Sequence, residues 1–236
     1  MAMTPIEMID SLETRFENSQ NGIIIGKQKG EFHLVSVNYW QSFKCRVMQG
    51  LISWRIKTGS PVQYFSDAIN VANTAIEDLM SLGSENISDD FFIEIASSIA
   101  FLINKPFEFP QYSLEGEEFY RLLNFELAKS LMGKHNKDEW DNILNNLKPN
   151  KRINLCIQTY KIYSQLLFNK DVNKTNDLVK HAEDLFLKRK NDSFYSGGEG
   201  IEGGGLYNDV TVDYRLAAIL KFIAYDGESI HKWIWD

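Results

Sequence analysis

The chain has 236 residues, 44% of them hydrophobic and 24% charged, with a net charge of −7. That balance excludes a disordered or collagen-like chain, and the length is enough to bury a core without covalent staples. Two cysteines far apart in sequence, Cys45 and Cys156, do not make a disulfide scaffold and fit a reducing compartment.

The opening MAMTPIEMIDSLETRF has neither a basic start nor a continuous apolar stretch, so it does not read as a secretory signal. Apolar runs such as IASSIAFLI are about half the roughly 20 residues a membrane span requires. The expected location is the cytoplasm. The sequons at Asn86, Asn173 and Asn191 are read as chance.

In chain order, the first predicted helix starts at Thr4-Pro5-Ile6-Glu7. A cap hydroxyl, a proline at the first helical position and a glutamate three residues past the cap form a capping box. Ile6, Met8, Ile9, Leu12 and Phe16 carry the helix to about Asn18. Residues 22–37 look different: apolar, partly β-branched runs flank Gly26-Lys27-Gln28-Lys29-Gly30, which suits a short β-hairpin. Helical spacing returns at Trp40, Phe43, Val47, Leu51 and Trp54. Ser60, Pro61 and Gln63 then predict a second capping box, for a helix that runs to about Leu82 before Gly83. Ser88-Asp89-Asp90 caps a helix that stops before Pro106. Further helices are expected at about 114–132, 137–147, 152–169, 174–190 and 210–225, with a Gly-rich surface loop at 196–205. The reading is a single all-α domain of about eight or nine mostly antiparallel helices.

Charge is unevenly spread. Residues 85–126 hold nine acids against Lys105 and Arg121, and residues 197–236 hold seven acids against Arg215, Lys221 and Lys232. Residues 129–190 carry thirteen bases and seven acids. An acidic chain repels nucleic-acid phosphate and favours a basic partner, although mild acidity is also common among soluble proteins.

Signatures of catalytic chemistry are sparse in the sequence. Gly198-Glu199-Gly200-Ile201-Glu202-Gly203 spells G-x-G-x-x-G, but it follows a predicted helix and contains two glutamates that would repel a pyrophosphate. The Gly22–Lys27 stretch is one residue short of a phosphate-binding loop, with Gln28 where a magnesium-binding hydroxyl belongs. His33, His135, His181 and His231 show no metal-like spacing with cysteines or with one another. His181 with Glu183 or Asp184 is a weak metal pair, and His231 reads as a surface or interface residue. Asp209 and Asp213 sit one turn apart; either they receive a cation or a basic side chain, or they are cap and first-turn acids. No catalytic residue, metal or cofactor is expected. Trp233 and Trp235 either cover the core or anchor a partner.

Two stretches carry a resemblance. RVMQGLISWRIKTGSPVQYFSDAINVANTAIEDL, residues 46–79, and YRLAAILKFIAYDGESI, residues 214–230, resemble helix patterns of immunity proteins from bacterial polymorphic toxin and type VI secretion systems. The similarity is nearest to those paired with PoNe-type DNase toxins. It spans about a fifth of the chain, and the Gly-rich stretch at 197–205 departs from the pattern. The resemblance implies a cytoplasmic inhibitor that binds a toxin without catalysis and does not bind nucleic acid or membrane. The local acid excess, the glycines and the paired tryptophans put the expected partner surface at Glu199, Glu202, Asp209, Asp213, Asp226 and Glu228, with Tyr195, Trp233 and Trp235 nearby in sequence. Glu115, Glu117 and Glu118 after Tyr112 form a competing acidic patch. Two other readings stay open: a different protein-interaction or scaffold module, and an enzyme whose centre is assembled from distant residues.

Overall fold

Thr4 opens the first helix with the reciprocal bonds its spacing calls for: its N–H donates to Glu7 Oε2 at 2.7 Å, and the Glu7 N–H donates to Thr4 Oγ1 at 3.3 Å. The computed structural model describes residues 4–82, 91–107, 119–148, 154–169, 171–191 and 212–232. Among them are nine helices: α1 Pro5–Lys29, α2 Phe32–Ile56, α3 Pro61–Ser81, α4 Phe91–Leu102, α5 Phe119–Leu131, α6 Lys137–Asn146, α7 Asn154–Phe168, α8 Val172–Asn191 and α9 Tyr214–Phe222. The fold class is all-α, with no strand among the described residues. No helix among them is long and apolar enough to cross a membrane.

The expected hairpin at residues 22–37 is not there. The first helix continues through it to Lys29, and α2 begins at Phe32. The three isoleucines imitate a strand, yet only Ile23 is buried, while Ile24 and Ile25 face outward. Leu12, Ser19, Ile23 and Gly26 are the buried positions, a spacing of seven, four and three that belongs to one helical face. Gly30 supplies the turn. Its φ of 68° lies in the left-handed region, and the following N–H of Glu31 returns to the Gly26 carbonyl at 2.9 Å.

The chain gathers into two compact units, Met1–Tyr112 and Ser113–Asp236. In the first, α1 packs on α2, α2 on α3, and α3 on α4. Helix α2 is buried nearly all round in its second half, from Val47 to Trp54, because it is covered on both sides. Small residues set the spacing. A Cβ at Gly50 would stand 2.6 Å from the ring of Phe65, itself fully buried on α3. At the expected second box, Ser60 and Pro61 begin α3, but the Ser60 side chain makes no cap bond, and Gln63 turns instead to Asp67 at 2.9 Å.

In the second unit α7 is the central helix and touches α5, α6, α8 and α9. Trp140 of α6 is wholly interior and donates its indole N–H to Ser130 Oγ of α5 at 3.0 Å. Tyr160 and Tyr163 of α7 meet edge to face with centroids 5.6 Å apart. Seven of the nine residues of α9, Tyr214 to Leu220, are buried. The helix begins at Tyr214, four residues later than expected. A residue expected inside that helix, Asp213, therefore becomes its cap.

Candidate functional site

A nine-residue buried helix cannot leave its first N–H groups to water, so they need an acceptor from the protein. Asp213 supplies it. Its Oδ1 accepts from the N–H groups of Arg215 and Leu216, both at 3.1 Å. The same carboxylate collects three side chains. Arg189 of α8 donates from Nη2 to Oδ2 at 2.6 Å, Tyr163 of α7 donates its hydroxyl to Oδ2, and Arg215 Nε lies 3.4 Å from Oδ1. Arg189 also donates to Thr159 Oγ1, while the Arg215 guanidinium lies over the rings of Tyr160 and Tyr163. Asp213 is 0% exposed, and Arg189 and Arg215 are buried with it. Burial pushes its carboxyl pKa up, but the charges of Arg215 and Arg189 outweigh burial and hold it well below the usual carboxylate range.

One further bond ties this cluster to the last described segment. The Asp213 N–H donates to Nδ1 of His231 at 3.0 Å, and the His231 ring meets Phe186 of α8 edge to face at 4.7 Å. Residues 223–232 thus run as a strap along α8, fixed at intervals. Tyr225 donates its hydroxyl to Asn176 Oδ1 at 3.0 Å, and Ser229 donates to Glu183 Oε1 at 2.6 Å. Lys232 closes the strap on itself through the carbonyls of Asp226 and Gly227, at 3.1 and 3.2 Å.

Three of the expected partner-facing residues, Asp213, Asp226 and Glu228, lie among the described residues. Asp213, expected at the surface, is interior, because α9 starts beside it and needs its cap. Asp226 and Glu228 are exposed on the strap. Ile230, on the same strap, is 57% exposed, although it lies between the part-buried Ser229 and the buried His231. Tyr195, Glu199, Glu202, Asp209, Trp233 and Trp235 lie outside the described residues, as do Glu115, Glu117 and Glu118. His231, read as a surface or interface residue, is 0% exposed. The sequence reading missed Arg189, Tyr163 and Thr159 altogether. The only signal for them was a pair of polar positions on α7 and an arginine at the end of α8, which pattern alone does not distinguish from solvated residues.

The other charged side chains that leave the solvent are also paired. In the first unit, the Arg46 guanidinium lies 3.6 Å from the centroid of the Phe16 ring and grips Glu13, and Gln49 Nε2 joins Glu13 at 2.9 Å and the Ile9 carbonyl at 3.2 Å. Asp78 of α3 receives both Lys27 of α1 and the Tyr39 hydroxyl of α2. Burial, with Asp78 beside it, raises the Tyr39 phenol. Cys45 is a buried thiol that burial pushes up to about 11, a value at which it is an inert small hydrophobe. In the second unit Lys129 bridges Glu126 and Glu139, at 2.7 and 2.6 Å, across α5 and α6. No group of three or more metal-ligating side chains occurs among the described residues.

What this arrangement can do is hold and present. The Asp213 cluster joins α7, α8, α9 and, through His231, the strap, on which Asp226, Glu228 and Ile230 are exposed. Comparison with protein-family models, curated proteins and solved structures finds no match to the chain.

Proposed function

We propose that the chain is an immunity protein that neutralises a bacterial toxin by binding it, without catalysis. The observation that carries this reading is the strap at residues 223–232. It is anchored from beneath by one buried and one part-buried polar bond, yet it turns Asp226, Glu228 and Ile230 outward. A pre-ordered segment pays little conformational entropy on binding, and an apolar side chain rimmed by acids suits a partner with a basic surface. Residues 197–236 carry seven acids against three bases in sequence, in keeping with a basic partner. A nuclease toxin, basic around its substrate cleft, has the complementary charge. Carboxylates set against that cleft stand where phosphates would and block access to it.

The test is copurification with the product of the adjacent toxin gene, followed by association kinetics with Asp226→Lys/Glu228→Lys. The expected result is a complex whose association rate falls in the reversed variant, with the gap between variant and parent narrowing at high salt. A complex whose rate ignores both the reversal and the salt would remove the strap from the interface. No complex with any neighbouring product would favour a scaffold role instead.

A further inference from the structure

We propose that His231 is a pH-sensitive latch that holds residues 223–232 against α8 and α9 while its imidazole is neutral and releases them when it is protonated. The Asp213 N–H belongs to the backbone at the start of a buried helix, so its direction is fixed. It points at Nδ1 from 3.0 Å. An N–H can be received only by a ring nitrogen that carries no proton, so this bond selects the neutral imidazole with its proton on Nε2. A proton added at Nδ1 faces the Asp213 N–H head-on, turning an attraction into a repulsion and leaving that N–H buried without an acceptor.

Among the surrounding charges the Asp213 carboxylate favours an imidazolium, while the Arg189 and Arg215 guanidiniums gathered on it oppose one. Asp213, the cap of α9, bonds His231 and gathers Arg215 of α9, Arg189 of α8 and Tyr163 of α7; Glu183 of α8 meets Ser229, and the strap itself carries Asp226, Glu228 and Lys232. The Asp213 carboxylate would attract an imidazolium, but it already takes Arg189, Arg215, Tyr163 and two backbone N–H groups. A third cation there adds to two guanidiniums gathered on one carboxylate. Glu183 is engaged with Ser229 two residues away. Once His231 lets go, the Ser229 and Tyr225 side-chain bonds to α8, both nearer the surface, still hold the strap. The latch acts on the strap whatever partner, if any, the strap receives.

The experiment is amide hydrogen exchange on the full chain between pH 7.5 and 5.5, corrected for the intrinsic pH dependence of exchange. Uptake of one proton on opening makes the opening constant of residues 223–232 rise up to about tenfold per pH unit below the imidazole's pKa, ordinarily near 6.5. Amides of Tyr160–Leu166 on α7 and Val47–Ile52 on α2 should hold their protection. His231→Asn keeps an acceptor at the position of Nδ1 but cannot titrate there, so its strap should show a flat profile. Glu183→Gln keeps an acceptor for Ser229, and its strap should retain the full slope. A flat parental profile, an unchanged slope in His231→Asn, a slope abolished by Glu183→Gln, or equal loosening of α7 would each overturn the latch. Nitrogen NMR of the parent protein's imidazole needs no variant. At pH 7.5 it should show Nδ1 bare and Nε2 protonated, and the opposite tautomer or an imidazolium would refute the proposal.

Discussion

Arg189 near the end of α8 places Nη2 2.6 Å from Oδ2 of Asp213, the residue that precedes α9, and both side chains are removed from water. The pair joins the two helices through charges that each lack an alternative in solvent. Such a pair is a weak source of net stability but is costly to break, because the survivor is left buried and uncompensated. Asp213→Asn keeps one cap acceptor and removes the negative charge. It should lower the unfolding free energy of the second unit by about 3–5 kcal/mol, read from denaturant midpoints with a probe in that unit. A loss of under about 1 kcal/mol would mean that the arginines reach solvent when the aspartate charge is gone.

Tyr163→Phe removes only the hydroxyl donated to Asp213. A hydrogen bond to a charged group contributes about 1.5–3 kcal/mol, so the loss should lie in that range and below that of Asp213→Asn. Measured together, the two substitutions should be non-additive, since both act on one carboxylate.

The acid limb of stability follows from the sign of the Asp213 shift. Burial raises its pKa, the Arg215 and Arg189 charges more than reverse that, and the folded value is lowered. A lowered folded value means that the contribution is present above the unfolded value of about 3.9 and is lost as pH falls toward the folded one. Urea midpoints taken at pH 5, 4 and 3 should therefore fall more steeply for the parent than for Asp213→Asn. Parallel curves would show that other carboxylates govern acid unfolding.

Gly50→Ala should destabilise the first unit although alanine is the better helix former by about 1 kcal/mol. The new methyl would lie 2.6–2.9 Å from three carbons of the buried Phe65 ring, so the ring or the helices must shift. Overpacking of that kind costs about 1–3 kcal/mol, and a net loss should appear in a thermal melt. A higher melting temperature would show that α2 and α3 can move apart cheaply.

Ile230→Ser separates display from support. The side chain is 57% exposed, so the substitution should leave stability within about 0.5 kcal/mol. If the strap faces a partner, the same change should speed dissociation from it, because a desolvated apolar anchor acts mainly after docking. Unchanged dissociation, with intact folding, would place the partner contact elsewhere.

Much of this architecture is legible without coordinates. Caps, prolines at first helical positions and three-to-four spacing mark where helices begin and which face they bury, because those signals act over one or two turns of local backbone. Thr4 and Glu7 make their box, and Tyr39–Trp54 forms the buried helix its spacing requires. Residues 22–37 mislead for a physical reason. Three consecutive isoleucines satisfy a strand pattern locally, and only packing of Gly26 and Ile23 against α2 selects the helix. The Asp213 cluster lies further from any local signal. Its members come from positions 163, 189, 213, 215 and 231, and nothing in the residues around each one distinguishes a solvated polar group from a buried one. Local sequence determines which segments are helical, since that depends on neighbours in the chain. Which charges are interior is decided only when separate helices meet, since a buried charge is tolerated only where its partners arrive from elsewhere.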